Sequence, residues 1–258
     1  MNKVFQVGLL FAASCALPGH ALAADEAETR TVSIDARVVR VKIDGVVDVR
    51  LRQGDTPSLR IVGDKRYLDK LTSSQMGDTL HLEGEGEGDR SIKISSGTGA
   101  RAEMVLPNLR QVVMEGIGST EISGFSGQDL ELVMDGAGSM KATVDYKMVR
   151  ARLGGIGRMN LWIGENERTQ IDLGGAGNIT LGGRSKLLKA ALGGLGGLNA
   201  QQFDAADIDL DLSGLGNATA SATSSARLNL SGLGSAVVYG KPLNRDVKVD
   251  GLGKVTWK

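Results

Sequence analysis

The sequence predicts an all-β chain: a parallel β-helix, or solenoid, of about 19–20 residues per coil, preceded by an irregular β-rich N-terminal part. Three observations predict it. Eight glycine corners recur between Gly116-Ile117-Gly118 and Gly251-Leu252-Gly253, and their first glycines lie 20, 19, 20, 19, 20, 18 and 19 residues apart. Apolar residues stand at fixed offsets on both sides of every corner. Glycine accounts for 37 of 258 residues against 4 prolines, with no three-residue period, which ties the excess to the corners rather than to collagen or disorder. A unit this short cannot enclose a core alone, so it must stack on its neighbours.

Residues 1–23 read as a secretory signal. Lys3 supplies the positive start, Val4 to Ala13 a short apolar stretch, and Ala21-Leu22-Ala23 a small-residue cleavage site. That stretch is too short to span a bilayer, and no other run approaches the roughly 20 apolar residues a spanning helix needs. The mature chain is therefore expected without a transmembrane segment, exported to the periplasm or the exterior. Cys15, the one cysteine, admits an alternative in which the thiol is lipidated and anchors the chain, although Ala12-Ala13-Ser14-Cys15 lacks the leucine usual in such boxes. On either reading the folded part carries no disulfide and is held by packing and backbone ladders.

Residues 24–38 form an N-terminal extension, and residues 39–107 a β-rich part with more charge. Val39, Val41 and Ile43 alternate with polar residues, as do Val47, Val49 and Leu51, and Asp44-Gly45 between them suits a hairpin or a corner. Leu59 with Ile61, Leu80 with Leu82, and Ile92 with Ile94 suggest further strands, and Tyr67 to Ser74 a helical turn. This part is expected to cover the first coil, because an open sheet edge recruits other chains.

Residues 108–258 carry the repeat. Counted from the first glycine of each corner, offsets −4 and −2 are apolar in every unit, as in Leu132 and Met134 or Leu228 and Leu230. Offsets +4 and +6 are apolar but for Thr120, and the residue between the glycines is always Ile, Ala or Leu. Each unit thus reads as a strand, a corner that shifts the phase by one, and a second strand, with one face inward throughout. The glycines are expected to allow the sharp turn and positive φ angles. Eight coils at about 4.8 Å would make a rod on the order of 40 Å long. Offset −5 runs Lys189, Asp209, Arg227, Asp246, so stacked coils should alternate in charge, and Arg152 should meet Asp172 in the same way.

Thirty basic and thirty acidic side chains cancel with no basic cluster, which argues against nucleic-acid binding. The chain beyond the signal has one histidine, His81, and no cysteine, which removes the usual Ser-His-Asp, Cys-His and zinc arrangements. His81, between Leu80 and Leu82, reads as the outward residue of a strand. Calcium-binding glycine repeats would need an aspartate where Ile179 and Leu198 stand. No catalytic residue, metal site or cofactor is expected. The acidic run Glu83 to Asp89 reads as a solvated loop. Asp207, Asp209 and Asp211 alternate along one strand about 7 Å apart, a separation at which carboxylates can act on glycosidic bonds, although Lys189 and Arg227 flank Asp209 as charge partners. Trp162 and Tyr239 share offset +7, beside Asn160, Thr180, Asn199 and Thr219; projecting outward they would suit the faces and hydroxyls of a sugar or a protein partner, and the alternative is that they fold over a corner.

At these residues the chain resembles a bacterial exported family, the putative auto-transporter adhesin head GIN domain. The likeness runs from Val39 to about Lys258. It rests on Ile43-Asp44-Gly45-Val46-Val47-Asp48-Val49, on Leu59-Arg60-Ile61-Val62-Gly63, on Val105-Leu106-Pro107-Asn108-Leu109, and on corners such as Gly116-Ile117-Gly118-Ser119 and Gly175-Ala176-Gly177-Asn178. Arg158, Gly197 and Lys254 depart from the small polar residue that family favours after the corner. The resemblance implies a right-handed β-helix-like fold in the cell envelope, no established activity and no functional residue to carry over. Three readings follow: a non-enzymatic, adhesin-like scaffold displaying a face for a glycan or an envelope protein; a carbohydrate-active β-helix using the acidic face; and a structural spacer that forms homo-oligomers through its solenoid edges, around Trp257.

Overall fold

The computed structural model describes residues 28–84 and 100–258. The signal, Cys15, most of the acidic run and the Ile92–Ile94 strand lie outside the described residues. The fold is the expected all-β one, an irregular N-terminal β region followed by a parallel β-solenoid.

Five long strands each wind through nearly one whole coil: β9 (Ile117–Met134), β10 (Ala137–Leu153), β11 (Ile156–Leu173), β12 (Ala176–Leu192) and β13 (Leu195–Leu212). Each lies parallel on the next, with glycine corner on glycine corner. Beyond them, β14 (Leu215–Leu230) pairs through its first half with β15 (Ser235–Tyr239) and through its second with β16 (Asn244–Val249). Strand β17 (Lys254–Trp257) lies on β15. The segments after each corner stack into one sheet, here the front, and those before the next corner into another, the back.

The stack starts earlier than the eight corners imply. Strands β2 (Arg40–Asp44) and β3 (Val47–Gln53) do not pair as a hairpin. They flank a ninth corner at Gly45, and lie parallel on β8 (Gln111–Met114) and the start of β9. One level further out, β6 (Thr79–Gly84) pairs parallel with β2, and β7 (Ala100–Leu106) with β3. Antiparallel strands then end both sheets. In front, β4 (Ser58–Gly63) lies on β7 and β1 (Glu28–Val32) on β4; behind, β5 (Leu71–Met76) lies on β6. Between β4 and β5 runs one turn of helix, α1 (Lys65–Leu68), with Leu68 buried and the Asp64 carboxylate capping it at the Arg66 N–H, 2.9 Å away. The predicted helical turn is thus shorter than Tyr67 to Ser74, because from Leu71 the chain takes up ladder bonds with β6. His81 sits on the outer side of β6, half-buried, between buried Leu80 and Leu82.

The inward columns are as read: offsets −4, −2, +4 and +6 are buried at every level but the last. All are even, so the corner turns the chain without shifting its phase, contrary to expectation. The front and back strands meet at a second bend that carries no glycine motif. Its inward residues, Phe125, Val144, Ile163, Phe203 and Ala222, are buried at offset +8 or +9. The register slips there, for example between Ile163 and Glu165, which is how coils of unequal length stay stacked. Tyr146 is buried at the same bend and its hydroxyl donates to the Leu109 carbonyl at 2.6 Å.

The first glycine of a corner is needed for close approach rather than for its φ. The Ala176 N–H donates to the Gly155 carbonyl at 2.9 Å, and a methyl group on Gly175 would fall on that carbonyl and its neighbour at Gly154. The second glycine supplies the strained backbone in several coils, as at Gly157 with φ 149°. Gly174, immediately before the corner, faces open space, with only the Asp172 Oδ1 4.0 Å away.

Gly175→Ala is therefore expected to destabilise the protein by about 2–4 kcal/mol and Gly174→Ala by no more than about 0.5 kcal/mol in urea unfolding. Equal effects would remove close coil-on-coil contact as the reason for the corners. A second expectation concerns Tyr146, whose phenol is pushed up to about 12 by burial, partly offset by its hydrogen bond to Leu109. The folded-state value is raised, so stability is complete below about 10, the unfolded value. It should fall as pH climbs from there through about 12. Tyr146→Phe should flatten this loss in denaturant titrations at successive pH values.

Candidate binding faces

Because front and back sheets bury their inward residues in one core, their outward columns point to different sides of the molecule. Trp162 and Tyr239 stand on the front; Asp207, Asp209 and Asp211 stand on the back. The aromatic and acidic residues singled out in the sequence are therefore separated by the core.

Trp162 is 54% exposed. It lies across the next coil over Gly182, where a Cβ would overlap the indole six-membered ring. The missing side chain of Gly182 lets the ring lie flat. Beside it runs the offset +5 column, in which Asn160, Thr180, Asn199 and Thr219 are register neighbours. Within that column the Thr219 hydroxyl donates to the Asn199 Oδ1 at 3.0 Å. Tyr239 shares the side but stands four levels away, roughly 19 Å at the spacing of paired strands, half-buried with the Lys258 ammonium 5.6 Å from its ring centroid. The two aromatics do not form one surface. Nearer the N-terminus the front is charged, with Glu121 between Arg50 and Lys141 at 3.6 Å from each.

On the back, Asp207 accepts a hydrogen bond from the Ser225 hydroxyl at 2.5 Å. Asp209 has Lys189 and Arg227 as register neighbours, but the expected charge pairing is only partly realised. Arg227 turns to Asp246 at 3.3 Å, and Asp209 makes no ion pair among the described residues. Likewise Arg152 pairs with Asp135 at 3.8 Å rather than with Asp172. Long side chains on an exposed sheet choose between the coil above and the coil below, and Arg227 and Arg152 each close a contact on one side only. Asp207 and Asp209 border an open cavity of about 640 Å³ with Arg227, Leu243, Asn244 and Arg245 along its other side. Asp211 is exposed and does not line it. The acidic row is thus a mixed-charge patch rather than carboxylates converging on one atom. Among the described residues no group of three or more His, Cys, Asp or Glu side chains could hold a metal ion.

One exposed feature was not foreseen. The residues between paired glycines point outward: Ile117, Ile156, Leu195, Leu215, Leu233 and Leu252 are 45–87% exposed and stack into an aliphatic ridge along the rod. Alongside it runs a trough of about 390 Å³, floored by Gly174, Gly193, Ser213 and the corner glycines and walled by Ala176, Leu195, Leu215 and Leu233. The signal was present in the numbering, since the ridge sits at offset +1 and the inward columns flanking each corner, −4, −2, +4 and +6, are even.

No helix among the described residues is long and apolar enough to cross a membrane. No curated protein matches the chain. Solved structures do. One described as a putative adhesin from Parabacteroides merdae has a TM-score of 0.73 at 16% identity, covering 91% of this chain and 97% of that one. A putative adhesin from Parabacteroides distasonis has a TM-score of 0.72 at 18% identity, with 91% and 98% covered. A protein from the same species described as a putative lipid binding protein has a TM-score of 0.67 at 16% identity, with 90% and 97% covered. At these identities the likeness establishes the fold. The family model described as "Putative auto-transporter adhesin, head GIN domain" matches residues 39–179 and 162–242, and the protein belongs to that family.

Proposed function

We propose that this protein is a non-enzymatic cell-envelope scaffold, exported by its N-terminal leader, whose front face binds a glycan or a glycan-bearing envelope partner at Trp162. One observation carries the reading: an indole ring held flat and exposed over Gly182, beside a column of amide and hydroxyl side chains. Flat aromatic surface matches the apolar face of a pyranose, and Asn160, Thr180 and Asn199 offer donors and acceptors to its hydroxyls. One face of the ring covers Gly182 of the next coil and the other is open to solvent. The adhesin descriptions of the structural neighbours agree with a display role.

On a glycan array, Trp162→Ala should weaken binding to the captured glycans at least tenfold, about 1.4 kcal/mol or more, while Tyr239→Phe should leave it unchanged. Array binding that survives Trp162→Ala intact, or no glycan captured at all, would overturn this reading.

A second reading is favoured by the aliphatic ridge. Six exposed Ile and Leu side chains in line beside a trough floored mostly by glycine suit an extended acyl chain, and a neighbour in fold is described as a putative lipid binding protein. On this reading the Leu195→Ser/Leu215→Ser double variant should lose at least about two-thirds of its co-flotation with phosphatidylglycerol vesicles, a loss on the scale expected for apolar area exchanged for hydroxyls. Trp162→Ala should lose none. Vesicle flotation insensitive to the ridge substitutions would sink it.

A further inference from the structure

At the C-terminal level the inward columns come to the surface. Val247 and Val249 are each 42% exposed, whereas Leu228 and Leu230, at the same offsets one level earlier, are 1% and 0% exposed. Each strand of this level has one neighbour among the described residues, β14 for β16 and β15 for β17. The other end of the stack is finished by antiparallel β1, β4 and β5 with α1. Here no such strand among the described residues lies on β16 or β17. Arg245 takes the inward position that Ala226 holds one level earlier, and its guanidinium sits 4.3 Å from the Trp257 ring centroid. That contact covers part of the core and leaves the strand edge open. Edges of this kind pair with further strands.

We propose that this edge pairs with the same edge of a second copy, joining two solenoids tail to tail about a two-fold axis, with β16 antiparallel to β16 of the copy. The order of charges along the strand, Asn244-Arg245-Asp246-Val247-Lys248-Val249-Asp250, selects the partner and the register. In an antiparallel pair, residues directly opposite share a face. Centring the axis on Val247 gives every residue from 244 to 250 a partner and sets Asp246 opposite Lys248 of the copy, twice by symmetry. Centring it on Lys248 sets lysine on lysine and Asp246 on Asp250; centring it on Asp246 sets aspartate on aspartate. Centring it on Val249 also joins Lys248 to Asp250 but pairs only the end of the strand. The sequence of β16 is thus complementary to itself in the one register that uses its whole length. One strand edge per sheet is a small contact beside the roughly 1,200 Å² or more of standard interfaces, so the association is sought up to high protein concentration.

Sedimentation equilibrium on the purified protein, from about 1 to about 500 µM, reads this directly. The wild-type protein should show a monomer–dimer equilibrium. D246K and K248D, each turning two attractive contacts into two repulsive ones, should each weaken it about tenfold. The D246K/K248D double variant should recover to within about threefold of wild type. Within one copy Asp246 pairs with Arg227 and Lys248 with Asp250, and the double exchange restores neither, so its recovery reports the contact between copies alone. V247K, placing a charge on the axis, should abolish dimers while far-UV circular dichroism stays unchanged. A wild-type protein monomeric over the whole range, a double variant no better than the single ones, or a V247K protein that still dimerises would each overturn the proposal.

Discussion

The structure depends on one contact repeated along the rod: the carbonyl of a corner glycine packs against the bare Cα of the corner glycine in the next coil. That carbonyl also accepts the N–H of the residue between the glycines above it, as Gly155 does from Ala176 and Gly136 from Ile156. Corners can therefore approach as closely as paired strands only where no side chain intervenes. Stacked corners set the register of both sheets at once. With register set, even offsets from each corner bury Met, Leu, Ile, Val and Ala in one continuous core. A coil slipped by one residue would turn that lining out to water.

The second bend works under a looser constraint. It has no glycine pair repeated from coil to coil, Gly182-Gly183 serving one coil, and it changes length along the stack, its irregularities falling between Thr143 and Asp145, Thr180 and Gly182, or Ala200 and Asp204. Bulky inward residues such as Phe125, Phe203 and Tyr146 fill whatever space the bend leaves. One edge of the rod is thus rigidly periodic and the other tolerates insertions. Length variation among coils of 18 to 20 residues is accommodated without disturbing the glycine edge.

This division explains what could be read from residues alone. The repeat and its inward columns were legible because they lie at fixed distances from a recognisable corner, whereas offset +7 left open whether Trp162 projects outward or folds over a corner. The second bend was not legible, because its core residues wander between offsets +8 and +9 as the coil length changes. Nor was the place of Gly45 in the stack, since its neighbours in the solenoid, Gly84 and Gly116, come from distant parts of the chain and no local spacing records that. Charge pairing was only half legible. Register put Asp209 between Lys189 and Arg227, but which neighbour a long exposed side chain grasps is decided by a few tenths of a kilocalorie per mole.

Parity separates the residues that carry the stack from those that face solvent. Inward side chains and glycines carry the stack, so an outward position needs only to tolerate water and a neighbour about 4.8 Å away. Most outward positions here do no more, holding Ser, Thr, Asn or charged residues. An exposed indole or a continuous row of exposed leucines incurs a solubility cost that the fold does not require. Trp162 and the ridge at offset +1 are places where that cost is borne, and Ile156 of the ridge begins the strand that carries Trp162.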